Sequence, residues 1–386
     1  MCNNRDCIDI RQKDNQLWQR YQYEKSKQPI LFPTEGAKLL GVSELTLLLA
    51  SPHSQYLGTQ CQAVLEQLTK FNELLSIVRN QHAVHEKVGR YQNLEITPKM
   101  ALMVNVGGLD LRYFLSHWQH MLAITDTSNP EKPTYSLQFF DEQGNAINKV
   151  FLQSNTPDQV EKWLALVATY AQQANTYVDM ESSEMLENSK KEICLEKIAT
   201  NDNDWQLKAL DHQDIERLKD QWQAMTNIHQ FHGIIQNLGL DRASSYHYAP
   251  TAQAIELQPN AIEPMLNLVK DHGCPLMTFV SNTGVVQIQT GKVSHIKRMG
   301  DWINILDKDS TQFTLHLNDT AMAQLWVVKR PTSDGIVTCV EGFDKTGNSI
   351  VTFFGQRLEG EKELDSWRLV TDSLIENFAK PVAKRA

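Results

Sequence analysis

The chain has 386 residues, with 37 basic against 46 acidic side chains and a formal charge of −9. That balance argues against a general nucleic-acid binder or a polybasic membrane anchor, and 41% apolar with 22% charged residues argues against wholesale disorder. At about 150 residues per domain, the length predicts two to three domains whose cores need no staples.

The first six residues are polar and offer no signal-peptide core, and the longest apolar stretches, such as 45–50, fall far short of the ~20 residues of a membrane span. Cysteines stand at 2, 7, 61, 194, 274 and 339 without a CxxC pair. A zinc ribbon, a thioredoxin motif and covalent haem attachment therefore drop out, and a reduced, cytoplasmic protein is expected. Residues 63–75 predict a helix. Alternating apolar residues over 135–140 and 147–152, joined at Gly144-Asn145, predict a β-hairpin, and 157–172 a closing helix. The polar stretch 181–204 reads as a linker. Beyond it the pattern predicts helices over 215–238 and 262–270, a hairpin of 336–343 and 350–354 around Gly347-Asn348, and a last helix over 364–378. No GxGxxG or Walker A string occurs.

The second half repeats the first. Val78, Asn80, Val84 and Gly89 recur at one constant offset as Val280, Asn282, Val286 and Gly291. Phe140-Asp-Glu-Gln-Gly-Asn recurs as Phe343-Asp-Lys-Thr-Gly-Asn at an offset one residue longer, and Trp163 as Trp367 one longer again. Three ordered anchors with so little drift predict a tandem duplication of a unit of about 180 residues rather than a solenoid. Helices and hairpins in blocks make each unit α+β, an antiparallel sheet with flanking helices. The expected boundaries are an N-terminal repeat at 1–180, the linker at 181–204 and a C-terminal repeat at 205–386.

Function is expected where the copies differ. Leu218, Trp222, Met225, His229 and His232 are spaced by 4, 3, 4 and 3 residues, which on one helix places all five on one face. The corresponding stretch of the first copy, 28–36, carries Pro29 and Pro33 and no histidine. A single histidine in an apolar stripe is most often a core imidazole bonded to a carbonyl. Two histidines one turn apart, beside Trp222, Met225 and Phe231, weaken that reading. Gln230 cannot serve as the base of an HExxH site. The face suits a large apolar ligand whose metal accepts an imidazole nitrogen, and haem is such a ligand.

Three segments carry a resemblance: Trp222-Gln-Ala-Met-Thr-Asn-Ile-His-Gln-Phe, Leu109-Asp-Leu-Arg-Tyr-Phe-Leu-Ser-His-Trp-Gln-His, and residues 335–341 with Phe353-Phe-Gly-Gln-Arg. They resemble the proximal, distal and C-terminal signatures of the cytoplasmic haem-utilisation, or hemin-degrading, family that includes HemS, ChuS, ShuS, HmuS and PhuS. The likeness spans nearly the whole chain. It implies a haem b cleft in the C-terminal half, roofed in part by the N-terminal half. His229 would be the proximal iron ligand, and Arg112 a distal residue whose guanidinium stays protonated and donates. Arg242, Arg330 and Arg357 would meet the propionates, bidentate pairing suiting them to carboxylates. Phe114 matches a family aromatic near the macrocycle. His232 stands where several members carry a second gating Phe, as in PhuS-type members whose further histidine also takes the iron. Phe354 replaces a Tyr and Ala243 a Gln. His85 matches the second haem ligand of ChuS-type members; by its residues alone it reads as an exposed edge-strand histidine. His117 and His120 read as structural, and Cys274-Pro275 as a turn.

The function implied is a cytosolic carrier that accepts imported haem and passes it on for iron release. Its partners would be a haem-importing ABC transporter and a downstream haem oxygenase or electron donor. The alternatives are a haem-degrading enzyme in which Arg112 is catalytic, and a non-haem interaction protein on the same scaffold.

Overall fold

A computed structural model describes residues 5–9, 14–183, 192–196, 203–358 and 360–381. Most of the expected linker lies outside the described residues. Its described part holds the strand Glu192–Glu196, paired antiparallel with Arg5–Asp9.

The chain forms two compact units. The first comprises Met1–Val78, Lys87–Thr200 and Asn282–Val286, and the second Arg79–Glu86, Asn201–Ser281 and Gln287–Ala386. Each unit thus takes in a short segment from the other half of the sequence.

In the first unit the strands Leu74–Arg79, Ala146–Leu152, Thr134–Phe140, His120–Asp126 and Ser54–Gly58 pair antiparallel in that order. The strands Leu94–Ile96, Met100–Met103 and Asp110–Phe114 form a separate run of antiparallel neighbours. The second unit repeats both features. Leu276–Ser281, Ser349–Gly355, Gly335–Phe343, Gln324–Thr332 and Ala254–Leu257 pair in order. The three neighbours are Ile296–Met299, Trp302–Asp307 and Phe313–Leu317. The fold is a duplicated α+β unit, and strand order repeats as the sequence anchors do.

Those anchors have structural causes. In each copy the Phe-Asp-x-x-Gly-Asn segment is a turn built on its aspartate. Asp141 Oδ1 accepts from the N–H groups of Gln143 and Asn145, and Asp344 Oδ1 from those of Thr346 and Asn348. The glycines Gly144 and Gly347 sit at φ +80° and +82°, where a Cβ is strained. The turn is therefore longer than the Gly-Asn pair expected, because the aspartate side chain organises four residues beyond it. Trp163 and Trp367 are fully buried on the closing helices Pro157–Ser183 and Asp365–Phe378. The first of these runs further than the expected 157–172.

Two expected helices differ. Residues 63–75 resolve into the helix Cys61–Leu68 followed by the strand Leu74–Arg79, since the burial alternates from Leu74 onward. The continuous helix over 215–238 is broken: His212–Gln223 ends before the turn at Thr226–Asn227, and Gln230–Asn237 follows. Leu218, Trp222 and Met225 pack into the core with Phe231, whereas His229 and His232 are exposed. The five residues do not share one face; the break turns the histidines outward.

Candidate functional site

The second unit carries the histidines at the start of a short helix, His229 as its N-cap and His232 in its first turn. Gln230 Oε1 accepts from the backbone N–H groups of Thr226 and Asn227 at 2.8 and 3.1 Å, and Asn227 Oδ1 accepts from His229 N at 2.9 Å. These bonds fix the turn that leads into the helix Gln230–Asn237, whose N-cap, His229, has no side-chain cap of its own. The long hairpin of Gln324–Thr332 and Gly335–Phe343 supports the segment from beneath. Its Ser333 N–H donates to Thr226 O at 2.9 Å, and Trp222 Nε1 donates to Lys329 O at 3.1 Å.

A cationic cluster stands on neighbouring elements of the same unit. Arg330 is only 3% exposed. Its guanidinium stacks 4.2 Å from the Phe231 ring centroid, between the two histidines in sequence. Its Nη2 donates to the Tyr246 hydroxyl at 2.7 Å. Arg242, half-exposed, donates from Nε to the same hydroxyl at 3.2 Å and lies 3.3 Å from Glu341 Oε2. Tyr246 in turn donates to Glu341, which is fully buried and also accepts from Ser349 at 3.1 Å. Burial raises the Tyr246 phenol far above its usual range and pushes the neighbouring Cys339 thiol up to about 11. Both therefore stay protonated at neutral pH. Two guanidiniums then face one carboxylate, leaving one formal positive charge, and among the described residues the buried Arg330 Nε has no hydrogen-bond partner. A buried donor beside an uncompensated cation is the complement of an anionic group such as a carboxylate.

Arg357 is tied to Asp334 at 3.2 Å, at the tip of the same hairpin, and Phe354 is half-buried against the Trp222–Tyr246 core. The structure thus brings His229, His232, Arg242 and Arg330 onto neighbouring elements of one unit. Tyr246 and Glu341 are functional candidates that sequence reading missed. The signal was available for Tyr246, which lies one turn after Arg242 on the helix Arg242–His247.

His85 also groups with the second unit, and its position corrects the expectation of an exposed edge strand. It is fully buried, with Nδ1 2.7 Å from Gln287 Nε2 and its ring 4.8 Å from that of Phe313. Gln287 is the residue at the repeat-equivalent position, so the two copies' counterparts bond to each other. Nothing the size of haem reaches His85 without opening this core.

In the first unit, Arg112 and Asp110 lie on one face of the strand Asp110–Phe114. Arg112 Nη1 donates to the buried Asp110 carboxylate and to Leu111 O at 3.2 Å. Burial raises the Asp110 carboxyl, with Arg112 offsetting part of that rise. Nε and Nη2 of Arg112 have no protein acceptor among the described residues. Phe114 is half-buried at the end of that strand, where its N–H donates to Gly284 O at 2.8 Å. His120 is buried with Nδ1 2.9 Å from the Tyr56 hydroxyl, a structural placement, and His117 is exposed. Cys274 follows Gly273, at φ +57°, in the turn before the strand Leu276–Ser281. Among the described residues no helix is long and apolar enough to cross a membrane.

Comparison with known proteins agrees with the duplication. The family described as haemin-degrading HemS.ChuX domain matches residues 41–170 and again 239–374. His229 and His232 fall between the two matched stretches, while Arg112, Arg242 and Arg330 lie within them. The hemin transport protein HemS of Yersinia enterocolitica is 32% identical over 355 residues, covering 91% of this chain and 95% of its own length. The structure of the heme degrading enzyme ChuS of Escherichia coli O157:H7 superposes with a TM-score of 0.78 at 31% identity, covering 93% of this chain and 99% of ChuS. Holo-PhuS, a heme-binding protein from Pseudomonas aeruginosa, gives a TM-score of 0.78 at 30% identity, covering 93% and 98%.

Proposed function

The chain belongs to the haemin-degrading HemS/ChuX family, and from that premise we propose that it binds haem through its second unit and passes it on for iron release. The observation that carries the reading is the pairing of two exposed imidazoles with the cluster on neighbouring elements, whose one spare positive charge and orphaned Arg330 Nε fit a haem carboxylate. Haem is cargo here. His229 would hold its iron, and Arg242 and Arg330 its propionates, with Phe354 alongside on an adjoining strand and Arg357 just beyond that strand's end.

His232 stands one turn beyond His229, where helical neighbours lie about 5–6 Å apart at Cβ. Both rings face solvent, so a second imidazole is at hand when the first lets go. Stepwise exchange of this kind favours a carrier, which must release what it binds. The donor would be a haem importer of the ABC class and the acceptor an oxygenase or reductase in the cytoplasm.

The degrading alternative rests on Arg112. Asp110 anchors that guanidinium through Nη1 and leaves Nε and Nη2 as fixed, protonated donors. Haem supplies the redox chemistry in such a reaction, and the arginine supplies hydrogen bonds and charge. An absorption time course of the stoichiometric haem complex, given a reductant in air with catalase present, separates the two. A stable Soret band is expected for the carrier. Loss of the band with free iron and a new tetrapyrrole product would establish the enzyme and overturn the carrier reading.

A further inference from the structure

We propose that Tyr246 and Glu341 are the positioning residues of the anion site: the Tyr246 hydroxyl fixes both guanidiniums, and Glu341 fixes the hydroxyl. The inference rests on the reading that Arg242 and Arg330 receive haem carboxylates, and adds to it residues that touch no ligand themselves.

The geometry is that of a hub. One phenolic oxygen accepts from Arg330 Nη2 at 2.7 Å and from Arg242 Nε at 3.2 Å, while its own hydrogen goes to Glu341. A hydroxyl has one donor and two acceptor sites, so all three are used and the hydroxyl cannot rotate without losing a bond. Glu341 is held in turn by Ser349 across the hairpin of Gly335–Phe343 and Ser349–Gly355. The chain of contacts therefore runs from a sheet through a carboxylate and a phenol to two cations, one buried and one half-exposed. Long arginine side chains lose much rotamer freedom on binding an anion, and fixing them beforehand removes that cost. Among the described residues Arg330 has no carboxylate partner of its own. Without the Tyr246 oxygen its only polar contact among the described residues would be the Cys339 sulfur at 3.7 Å, a weak acceptor.

The arrangement also sets the charge of the site: Glu341 compensates one of the two guanidiniums and leaves one net positive charge to face the ligand's carboxylates.

The test compares iron protoporphyrin IX with its dimethyl ester, in which both propionates are masked, titrated in one mixed solvent against the full-length protein. Wild type is expected to prefer the free acid. Tyr246→Phe, close to isosteric, should lower that preference by about tenfold, the size of one lost hydrogen bond to a charged group. Diester binding should change little. A purely structural tyrosine would weaken both ligands alike, and an unchanged preference in Tyr246→Phe overturns the proposal. Glu341→Gln gives a second reading should the first variant not fold. Positioning predicts a fall in preference for the acid, whereas a rise would show that Glu341 only screens the cations, and overturns it. If Arg242→Gln and Arg330→Gln both keep the wild-type preference, the carboxylate reading itself fails. That result is distinct from failure of Tyr246→Phe alone.

Discussion

His120 is enclosed beside Tyr56 in the first unit, and burial lowers its imidazole from 6.5 to about 4. In the unfolded chain the same ring takes a proton below about 6.5. The stabilising contribution is therefore complete above that pH and is lost as pH falls towards 4, an effect on the order of 3 kcal/mol. Replacing His120 by Gln keeps an acceptor for the Tyr56 hydroxyl and removes the titration. Denaturant midpoints measured from pH 7 to pH 4.5 should fall less steeply for His120→Gln than for wild type; parallel profiles would contradict the assignment. At this scale the sequence was partly legible. His229, His232 and Arg242 were singled out by residue type and motif, and the structure sets them on neighbouring elements of one unit. The burial of His85 and Arg330 was not, because a strand's alternation says which residues share a face and not which face is covered. Tyr246 was missed for a different reason, since an aromatic one turn from an arginine reads equally well as plain core.

The helix that carries the histidines is an eight-residue element, too short to be stable by propensity alone. Its position depends on the turn before it, where Gln230 Oε1 accepts from Asn227 N and Asn227 Oδ1 from His229 N, and on the Ser333 N–H contact to Thr226. Asn227→Ala or Gln230→Ala should cost about 1 kcal/mol of local stability, or roughly fivefold in haem affinity, with the ferric spectrum of the residual complex unchanged. Haem titrations check this, and wild-type affinity in both variants would show that the turn does not set the histidine's position. The sequence pattern hid the break before this helix, because the 4, 3, 4, 3 spacing runs through the turn as if it were helical. The pair that builds the turn was itself the missed signal, an Asn followed three residues later by Gln. By contrast, the hairpins and closing helices were legible, since period-two alternation and the repeated Trp specify them locally.

Over the whole molecule the duplication is legible, but the exchange of segments is not. Residues 79–86 belong to the second unit although they lie in the first half of the sequence. Asn80 Nδ2 donates to Ser281 O at 3.2 Å and to Ile350 O at 2.8 Å, Asn318 N donates to His82 O at 2.8 Å, and Ala83 joins that unit's apolar core. No local pattern encodes such partners; only the shared Asn80 and Asn282 anchors hint that the turns they make do equivalent work. A fragment of residues 201–386 lacks these contacts and should melt without a cooperative transition, whereas the full chain melts cooperatively. A sharp calorimetric transition in the fragment would show that the second unit is complete without residues 79–86.

If the imidazoles at the start of the Gln230–Asn237 helix hold haem iron, losing them must change the ferric spectrum. A Soret titration of the wild type, His229→Ala, His232→Ala and the double variant tests it most directly. One haem per wild-type chain is expected, with an altered spectrum and weaker binding in His229→Ala, and loss of the axial-imidazole spectrum only in the double variant. A double variant that binds haem with wild-type affinity and spectrum would contradict it.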